Sequence, residues 1–146
     1  MTTQSERDAK QDIADVLIRY ATGIDRRDWN LFRTCFADRC HLDYPGIGTW
    51  DTGEAITDFM ITAHAQMGHT MHRISNIAIA VEGETAMARC YVDGLLLDPD
   101  GQSGFNPVGW YDDRLVHDHD GWRITQRVFT MAHFRTIGAA HGPVAS

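Results

Sequence analysis

The stretch IADVLIRYATGIDRRDW, residues 13–29, decides how this chain folds. Its apolar residues recur at the i, i+3, i+4, i+7 spacing of one face of an α-helix: Ile13, Val16, Leu17, Tyr20, Ala21 and Ile24. Tyr20 lies in the middle of that face, and a buried tyrosine needs a hydrogen-bond partner for its hydroxyl. A cavity with polar groups supplies such a partner better than a packed interior does. The pattern therefore predicts an amphipathic helix that presents Tyr20 to a cavity.

Asp25 follows this face directly, after Gly23 has weakened the helix. On an ideal helix Asp25 lies about 140° around the axis from Tyr20, so its carboxylate turns inward only if the helix ends or distorts there. A plainer interpretation exists for both residues: Tyr20 as a core residue with a hydrated hydroxyl, and Asp25 as a solvated helix end. A histidine much later in the chain favours a functional interpretation.

Length and composition limit the kind of protein. With 146 residues the chain is most simply one domain, with a core over about residues 9–134 and a flexible tail from about residue 138. The net charge of −7 and the lack of a Lys/Arg cluster argue against nucleic-acid binding. No signal peptide or membrane-spanning run is present, so we expect a cytoplasmic protein without a membrane partner. Three cysteines in no metal-binding pattern indicate reduced, mostly buried thiols: Cys35, Cys40 and Cys90.

The order of the remaining elements predicts an α+β fold. Ser5 is expected to cap the first helix, Asp28 a second short helix, and Asp51 a third, which stops near Gly68. Alternating patterns predict strands over residues 40–44, 77–81, 85–97, 109–117 and 122–133. Helices first and hairpin-connected strands afterwards predict one curved antiparallel sheet that wraps around the N-terminal helices and encloses a hydrophobic cavity.

The segment GHTMHRISN, residues 68–76, joins the third helix to the first long strand. A lone histidine is usually a surface or core residue, but His72 precedes a strand that contains Ile74. Its ring is therefore expected to enter the concave face of the sheet, while Asp25 comes from the helix packed on that face. A carboxylate paired with an imidazole suits general acid–base chemistry: the carboxylate fixes the tautomer, and the free nitrogen takes a proton.

The last strand supplies a further candidate, Arg127, which could stabilise charge on a leaving group or an enolate. Strand alternation places Arg127 on the face opposite Trp122 unless a bulge intervenes. Two sets of residues then compete for the cavity: Arg127, Phe129, Met131 and His133, or Trp122, Ile124 and Val128. Met and Phe beside a polar Arg and His favour the first set as the lining of a ligand pocket.

Four motifs resemble the SnoaL-like family of the nuclear transport factor 2-like superfamily, from about residue 9 to 134. They are YxxxxDRRDWxxF at 20–32, GIGTWDTGEAI at 46–56, HTMHRISNIAI at 69–79 and DGWRITQR at 120–127. The HTMH and GIGTW stretches are similar to the hexachlorocyclohexane dehydrochlorinases, which use an Asp–His dyad with a lysine and an arginine. The resemblance implies an α+β cone fold and a homodimer or homotrimer.

Carried over residue by residue, the resemblance places the dyad on Asp25 and His72 and the arginine on Arg127. The lysine position holds Tyr20, which is similar instead to the bile-acid 7α-dehydratases and scytalone dehydratases, where Tyr, Asp and His eliminate water. A phenol can give a proton to a departing hydroxide, whereas a departing chloride needs none. The resemblance therefore implies a dehydratase or isomerase more than a dehalogenase.

We predict a cofactor-independent lyase or isomerase, most simply a dehydratase, acting on a hydrophobic oxygenated small molecule such as a steroid, terpenoid or polyketide. Asp25 orients His72, His72 removes a proton, Tyr20 assists the departing or enolising oxygen, and Arg127 stabilises charge. The predicted substrate-binding residues are Tyr44, Trp50, Phe59, His69, Phe129, Met131 and His133. The sequence has no Gly-rich phosphate loop or dinucleotide fingerprint, which argues against a nucleotide cofactor.

Three alternatives stay open. A zinc site formed by His64, His69, His72 and His133 lacks the usual Cys or Glu ligands, so we expect no metal; a polar hairpin turn explains the metal-like run at residues 117–120. A non-catalytic small-molecule-binding or assembly module predicts that Asp25 and His72 lie beyond hydrogen-bonding reach. A polyketide cyclase would use the same acid and base to close a ring.

Overall fold

Three helices and six strands make up the part of the chain that the computed structural model describes, residues 3–138. In chain order they are α1 (Gln4–Asp25), α2 (Trp29–Arg33), β1 (Phe36–Tyr44), β2 (Gly48–Thr52), α3 (Gly53–His64), β3 (Thr70–Glu82), β4 (Thr85–Leu97), β5 (Gly104–Asp118) and β6 (Gly121–Ile137). The predicted α+β class is confirmed. Beyond Gly138, the predicted tail lies outside the described residues.

The six strands form one curved, unclosed sheet in the order β2-β1-β6-β5-β4-β3. Neighbouring strands are antiparallel except β1 and β6, which run parallel. The predicted curved sheet is thus confirmed, but its purely antiparallel character is wrong at this one pair. The pair joins strands from opposite ends of the sequence, so no hairpin between them sets their relative direction.

Helix starts follow local capping chemistry. Thr3, rather than the predicted Ser5, caps α1, because its hydroxyl accepts from the Glu6 N–H at 3.0 Å and the Glu6 carboxylate accepts from the Thr3 N–H. Asp28 caps α2 as predicted, accepting from the Leu31 N–H at 3.1 Å.

The start of α3 lies one residue after the predicted one. Thr52 is its N-cap and accepts from the Ala55 N–H at 3.0 Å. Asp51 belongs instead to β2, a strand the sequence pattern does not predict, and its carboxylate contacts the His41 ring at 2.7 Å. A five-residue edge strand with mixed burial carries too little alternation to be recognised.

β-Bulges decide which residues of the long strands face inward. In β6, Ile124 pairs with Leu115 and Gln126 with Arg114, so Thr125 is an extra residue. The bulge turns Arg127 to the same buried side as Ile124, and both are fully buried. The two predicted faces of β6 therefore both contribute inward residues, Trp122 and Ile124 before the bulge and Arg127 and Phe129 after it.

The core lies between the concave face of the sheet and the apolar face of α1. Ile13, Leu17 and Ile24 are fully buried there. The three cysteines are buried and free as predicted, and burial raises the pKa of Cys35 to about 12. No helix within residues 3–138 is long and apolar enough to cross a membrane.

Candidate active site

The end of α1 places the first site residue. Asp25 is the last residue of the helix, Arg26 is the C-cap, and Arg27 has a φ of +56°. Because the chain leaves the helix here, the Asp25 carboxylate turns towards β3 rather than continuing along a helical face. The helix therefore ends at the position where the inward orientation of the Asp25 carboxylate requires it to end.

The Asp25 carboxylate holds the His72 side chain. Its Oδ1 lies 2.7 Å from the imidazole Nδ1, its Oδ2 accepts from the His72 backbone N–H at 2.7 Å, and Oδ1 also accepts from the Thr70 hydroxyl at 2.9 Å. Burial acts to raise the pKa of Asp25, but the hydrogen bonds from His72 and Thr70, together with the charge interaction with His72, outweigh it and hold this pKa below its ordinary value of 3.8. Asp25 is thus an ionised acceptor at neutral pH.

An ionised acceptor at Nδ1 fixes the tautomer of His72. Nδ1 carries the hydrogen, and Nε2 keeps its lone pair when the ring is neutral. His72 lines a cavity, and Nε2 forms no hydrogen bond within residues 3–138. Its neighbour across the β3–β4 pair is Gly94, which has no side chain to cover the ring. Nε2 is therefore free to take a proton from a bound molecule.

Arg27 fixes the geometry of this dyad. One guanidinium nitrogen donates to the Thr70 hydroxyl at 2.8 Å and to the Ile24 carbonyl at 2.9 Å, and the other donates to the Gly68 carbonyl at 2.7 Å. The Thr70 hydroxyl oxygen accepts a hydrogen bond from Arg27, so the hydroxyl is left to donate its own hydrogen to Asp25. Neither residue could be recognised from local sequence patterns, because Arg27 lies in a charged run and Thr70 in an apparent loop.

The cavity has a volume of about 200 Å³ and lies between α3, α1 and the concave face of the sheet. Most of its lining is apolar, including Ile47, Phe59, Met67, Val92, Leu96 and Phe129. Three of the predicted substrate-binding residues line it: Tyr44, Phe59 and Phe129. Its polar groups are the imidazoles of His64 and His72 and three phenols.

The phenols of Tyr20, Tyr44 and Tyr111 form the second polar cluster of the cavity. The hydroxyl oxygens of Tyr20 and Tyr44 lie 2.7 Å apart, and the rings of Tyr20 and Tyr111 meet edge to face. Burial raises the pKa of Tyr20 and of Tyr44 well above 10. Both phenols therefore keep their protons at neutral pH and are suited to donate rather than to act as bases.

Arg127 lies beneath these phenols and does not line the cavity, which corrects the predicted contact with a ligand. It is fully buried, and its Nε and Nη2 donate to the two oxygens of Asp113 at 2.7 and 2.8 Å. Its guanidinium carbon lies 4.3 Å from the ring centre of Tyr20 and 3.8 Å from that of Tyr111. Burial acts to lower the pKa of Arg127, but the Asp113 carboxylate outweighs it, so the guanidinium stays charged. Arg127 can therefore act on the cavity through the electrostatic effect of its charge on Tyr20 and Tyr111, but not by contact with a ligand.

Four other predicted binding residues do not line the cavity either. Trp50 packs behind it, with its ring 4.6 Å from that of Phe59. His69 precedes β3 and is exposed. Met131 and His133 are exposed near the end of β6, and a second bulge lies between their pairing positions.

Two lining residues had a readable signal in the sequence. His64 continues the spacing of four set by Ile56 and Met60 on the buried face of α3. Tyr111 lies on the same face of β5 as Asp113, because every second residue of this part of the strand points inward, and both are buried. The pattern of inward residues on β5 would thus have placed an acidic partner opposite Arg127.

The described residues contain one cluster with metal-ligand spacing, Asp118, His119 and Asp120, and all three are exposed. The cluster forms the β5–β6 turn, in which the Asp118 carboxylate accepts from the Asp120 N–H at 2.8 Å. This agrees with the predicted polar turn. The four histidines considered as zinc ligands do not converge within residues 3–138.

Comparison with known proteins adds a family and a set of similar folds. A family model described as a SnoaL-like domain matches residues 5–128. An uncharacterized protein of Mycobacterium tuberculosis strain H37Rv is 28% identical over 133 residues, which cover 89% of this chain and 90% of that protein.

Solved structures of similar fold come from Novosphingobium. An N. aromaticivorans protein provisionally named an aromatic ring hydroxylase has a TM-score of 0.81 and 26% identity, covering 88% of this chain and 93% of that chain. Another from the same organism, provisionally named a scytalone dehydratase, has a TM-score of 0.78 and 18% identity, covering 86% and 85%. A type 3 hexachlorocyclohexane dehydrochlorinase from N. barchaimii has a TM-score of 0.76 and 18% identity, covering 92% of each chain. The two lower identities show a shared fold and no more.

Proposed function

We propose, from the premise that this chain belongs to the SnoaL-like domain family, that it is a cofactor-independent lyase or isomerase, most simply a dehydratase. The observation that carries the proposal is the 2.7 Å contact between Asp25 and His72 at the wall of an apolar cavity that Tyr20 also lines. The same fold also occurs in proteins that carry dehydratase and dehydrochlorinase names, so it is compatible with an elimination reaction.

The chemistry follows from the two polar clusters. His72 Nε2 removes a proton from a carbon next to an activating carbonyl, and the C–H electron pair forms the new double bond. The C–O bond at the adjacent carbon breaks, and Tyr20 gives its proton to the departing hydroxide, which leaves as water. A placed general base contributes roughly 10²–10⁴-fold to such a rate. The proton on His72 then returns to the Tyr20 phenolate.

Arg127 acts on this reaction through the tyrosines. Burial and Tyr111 raise the pKa of Tyr20, and the positive charge of Arg127 under the ring acts in the opposite direction. The guanidinium therefore stabilises the phenolate that forms when Tyr20 gives up its proton. In this role Arg127 is a positioning and electrostatic residue.

The cavity size and lining support a compact, hydrophobic, oxygenated substrate. A volume of about 200 Å³ lies below the roughly 300–1,000 Å³ of typical drug-sized ligand pockets. Among the predicted classes, a small terpenoid or polyketide suits this volume better than a tetracyclic steroid.

The alternative of a non-catalytic binding or assembly module requires Asp25 and His72 to lie apart, and their 2.7 Å contact weighs against it. A polyketide cyclase would use the same base and the same phenol for an aldol ring closure. Product analysis separates cyclisation from elimination, because only elimination releases water.

The test measures proton removal directly. Candidate β-hydroxy carbonyl compounds are incubated with the protein in D₂O, and exchange of the α-proton and loss of water are followed by NMR. We expect His72→Ala and Asp25→Asn each to lower the exchange rate by roughly 10²-fold or more, in line with loss of a general base. Turnover that survives in both variants would refute the proposal.

A matched control is present on the surface. His41 and Asp51 form a His–carboxylate contact of the same 2.7 Å length, but both side chains are more than half exposed and neither lines the cavity. His41→Ala should leave the exchange rate unchanged.

A further inference from the structure

His64 places a second imidazole in the wall of the cavity. It is the last residue of α3, and only 6% of it is exposed. Its Nδ1 lies 2.8 Å from the Met60 carbonyl oxygen one turn earlier. Because a carbonyl can only accept, Nδ1 carries the hydrogen and Nε2 of the neutral ring presents a lone pair.

Nε2 of His64 is buried and has no hydrogen-bond partner within residues 3–138. His64 lines the cavity, and buried polar atoms are nearly always paired, so its unpaired acceptor is a candidate partner for a ligand donor. Since Nδ1 is directed back to the α3 backbone, Nε2 lies on the ring edge away from that backbone. The His72 ring, which carries the proposed base, lies 6.2 Å away between centroids.

The charge state of His64 agrees with this acceptor role. Burial lowers the pKa of His64 and outweighs the hydrogen bond to the Met60 carbonyl, which acts to raise it; the nearby His72 and Arg27 also lower this pKa. The ring is therefore neutral at pH 7 and accepts a hydrogen bond without carrying a positive charge.

We propose that His64 Nε2 accepts a hydrogen bond from a free hydroxyl of the substrate and thereby selects alcohols or phenols over their ethers. The inference rests on the proposed function, in which His72 and Tyr20 act on the reacting carbon and the departing oxygen. The selected hydroxyl is a different one, because an acceptor cannot protonate a leaving group. The substrate is thus a compact hydrophobic molecule with a retained hydroxyl beside the reacting carbon.

Binding of two matched probes tests the inference without turnover. 2-Naphthol carries a hydroxyl donor, and 2-methoxynaphthalene has the same rings without it. We expect the protein to bind 2-naphthol more tightly by about tenfold, because the ether leaves Nε2 unpaired. In His64→Phe this preference should fall to about equal affinity, whereas His72→Ala should retain it.

A preference that persists in His64→Phe, or that disappears in His72→Ala alone, would overturn the inference and assign the hydroxyl to His72. A wild-type protein that binds both probes equally would overturn it as well. Proton exchange is measured separately, so loss of the proposed function and loss of this contact give different results.

A spectroscopic measurement on the unmodified protein covers the case in which His64→Phe does not fold. In ¹H–¹⁵N spectra of the imidazoles, saturating 2-naphthol should shift the His64 Nε2 resonance while Nδ1 stays protonated. An Nε2 resonance that does not move when 2-naphthol is bound would contradict the assignment.

Discussion

Single residues in this site are held by charge and hydrogen bonding together. Asp25 is partly buried, which alone would favour its neutral form, yet three hydrogen bonds stabilise the carboxylate. A carboxyl group with a lowered pKa in the folded state contributes stability above the pKa of the unfolded chain. That contribution is lost as the pH falls through the folded-state pKa.

Asp25→Asn should therefore destabilise the protein at pH 7 by about 1–3 kcal/mol, because hydrogen bonds to a charged group are lost. The difference between wild type and variant should shrink as the pH falls below the pKa of an ordinary aspartate, about 4, because the wild-type carboxylate then takes up its proton. Urea unfolding at pH 7 and at low pH measures both effects. A difference that stays equal at the two pH values would contradict the expected linkage, and Asp51→Asn is the exposed control.

Among single residues, the Asp25–His72 pair could be predicted from the sequence, whereas the residues that hold this pair in place could not. Asp25 and His72 stand at the end of a periodic helix and near the start of an alternating strand, where local patterns are informative. Arg127 could not be placed, because its facing depends on the Thr125 bulge, which no residue type marks. Thr70 and Arg27 join the site through contacts between segments far apart in sequence.

Among the elements, the angle between α1 and α2 depends on a close approach at Gly23. A Cβ added there would lie 2.9 Å from the backbone N and Cα of Phe32, and the Gly23 carbonyl accepts from the Asp28 N–H at 2.9 Å. The two helices can pack in this way only because position 23 has no side chain.

Gly23→Ala should lower the free energy of unfolding by about 1–3 kcal/mol, since overpacking outweighs the gain of up to about 1 kcal/mol in helix propensity. Thermal denaturation followed by circular dichroism measures the change. Ile18→Ala, at a half-exposed position of the same helix, is the control and should change stability far less. A Gly23→Ala protein more stable than wild type would show that α2 can move without loss.

Elements were predictable where their signal is local. Helix periodicity, the Asp28 cap and the exact span of β4 follow from neighbouring residues. β2 is a short edge strand whose mixed burial gives little alternation. The first residues of β3 depend on pairing with the far end of β4, Thr70 with Leu96 for example, and so carry no local pattern.

For the whole molecule, the buried pair of Arg127 and Asp113 ties β5 to β6 under the tyrosine cluster. Both side chains are fully enclosed, so removal of one partner leaves an uncompensated buried charge. The fold depends on the pair as a unit more than on either residue.

Arg127→Met should lower stability by about 3–5 kcal/mol, whereas Arg127→Met with Asp113→Leu should recover most of that loss. Urea unfolding at pH 7 compares the three proteins. A double variant no more stable than Arg127→Met alone would show that the pair is held by packing rather than by charge. If the double variant folds, its rate of water loss should stay well below that of wild type, because the charge that stabilises the Tyr20 phenolate is gone.

Membership of the family and the curved sheet were accessible from sequence motifs, but the parallel β1–β6 pair was not. Its partners are separated by most of the chain, and short-range patterns do not report which distant strands meet. The homodimer or homotrimer implied by the family resemblance stays a prediction, which sedimentation velocity checks.

The β1–β6 pair also bears on how the protein is made. On the ribosome, β1 (Phe36–Tyr44) emerges early, but its inner neighbour is β6 (Gly121–Ile137), which is the last of the six strands to be translated. Pairings this distant in sequence slow folding, and β1 waits with one edge open while the rest of the chain is synthesised. A premature stop codon before β6 would therefore give a nascent chain destined for proteolysis, not a shortened domain.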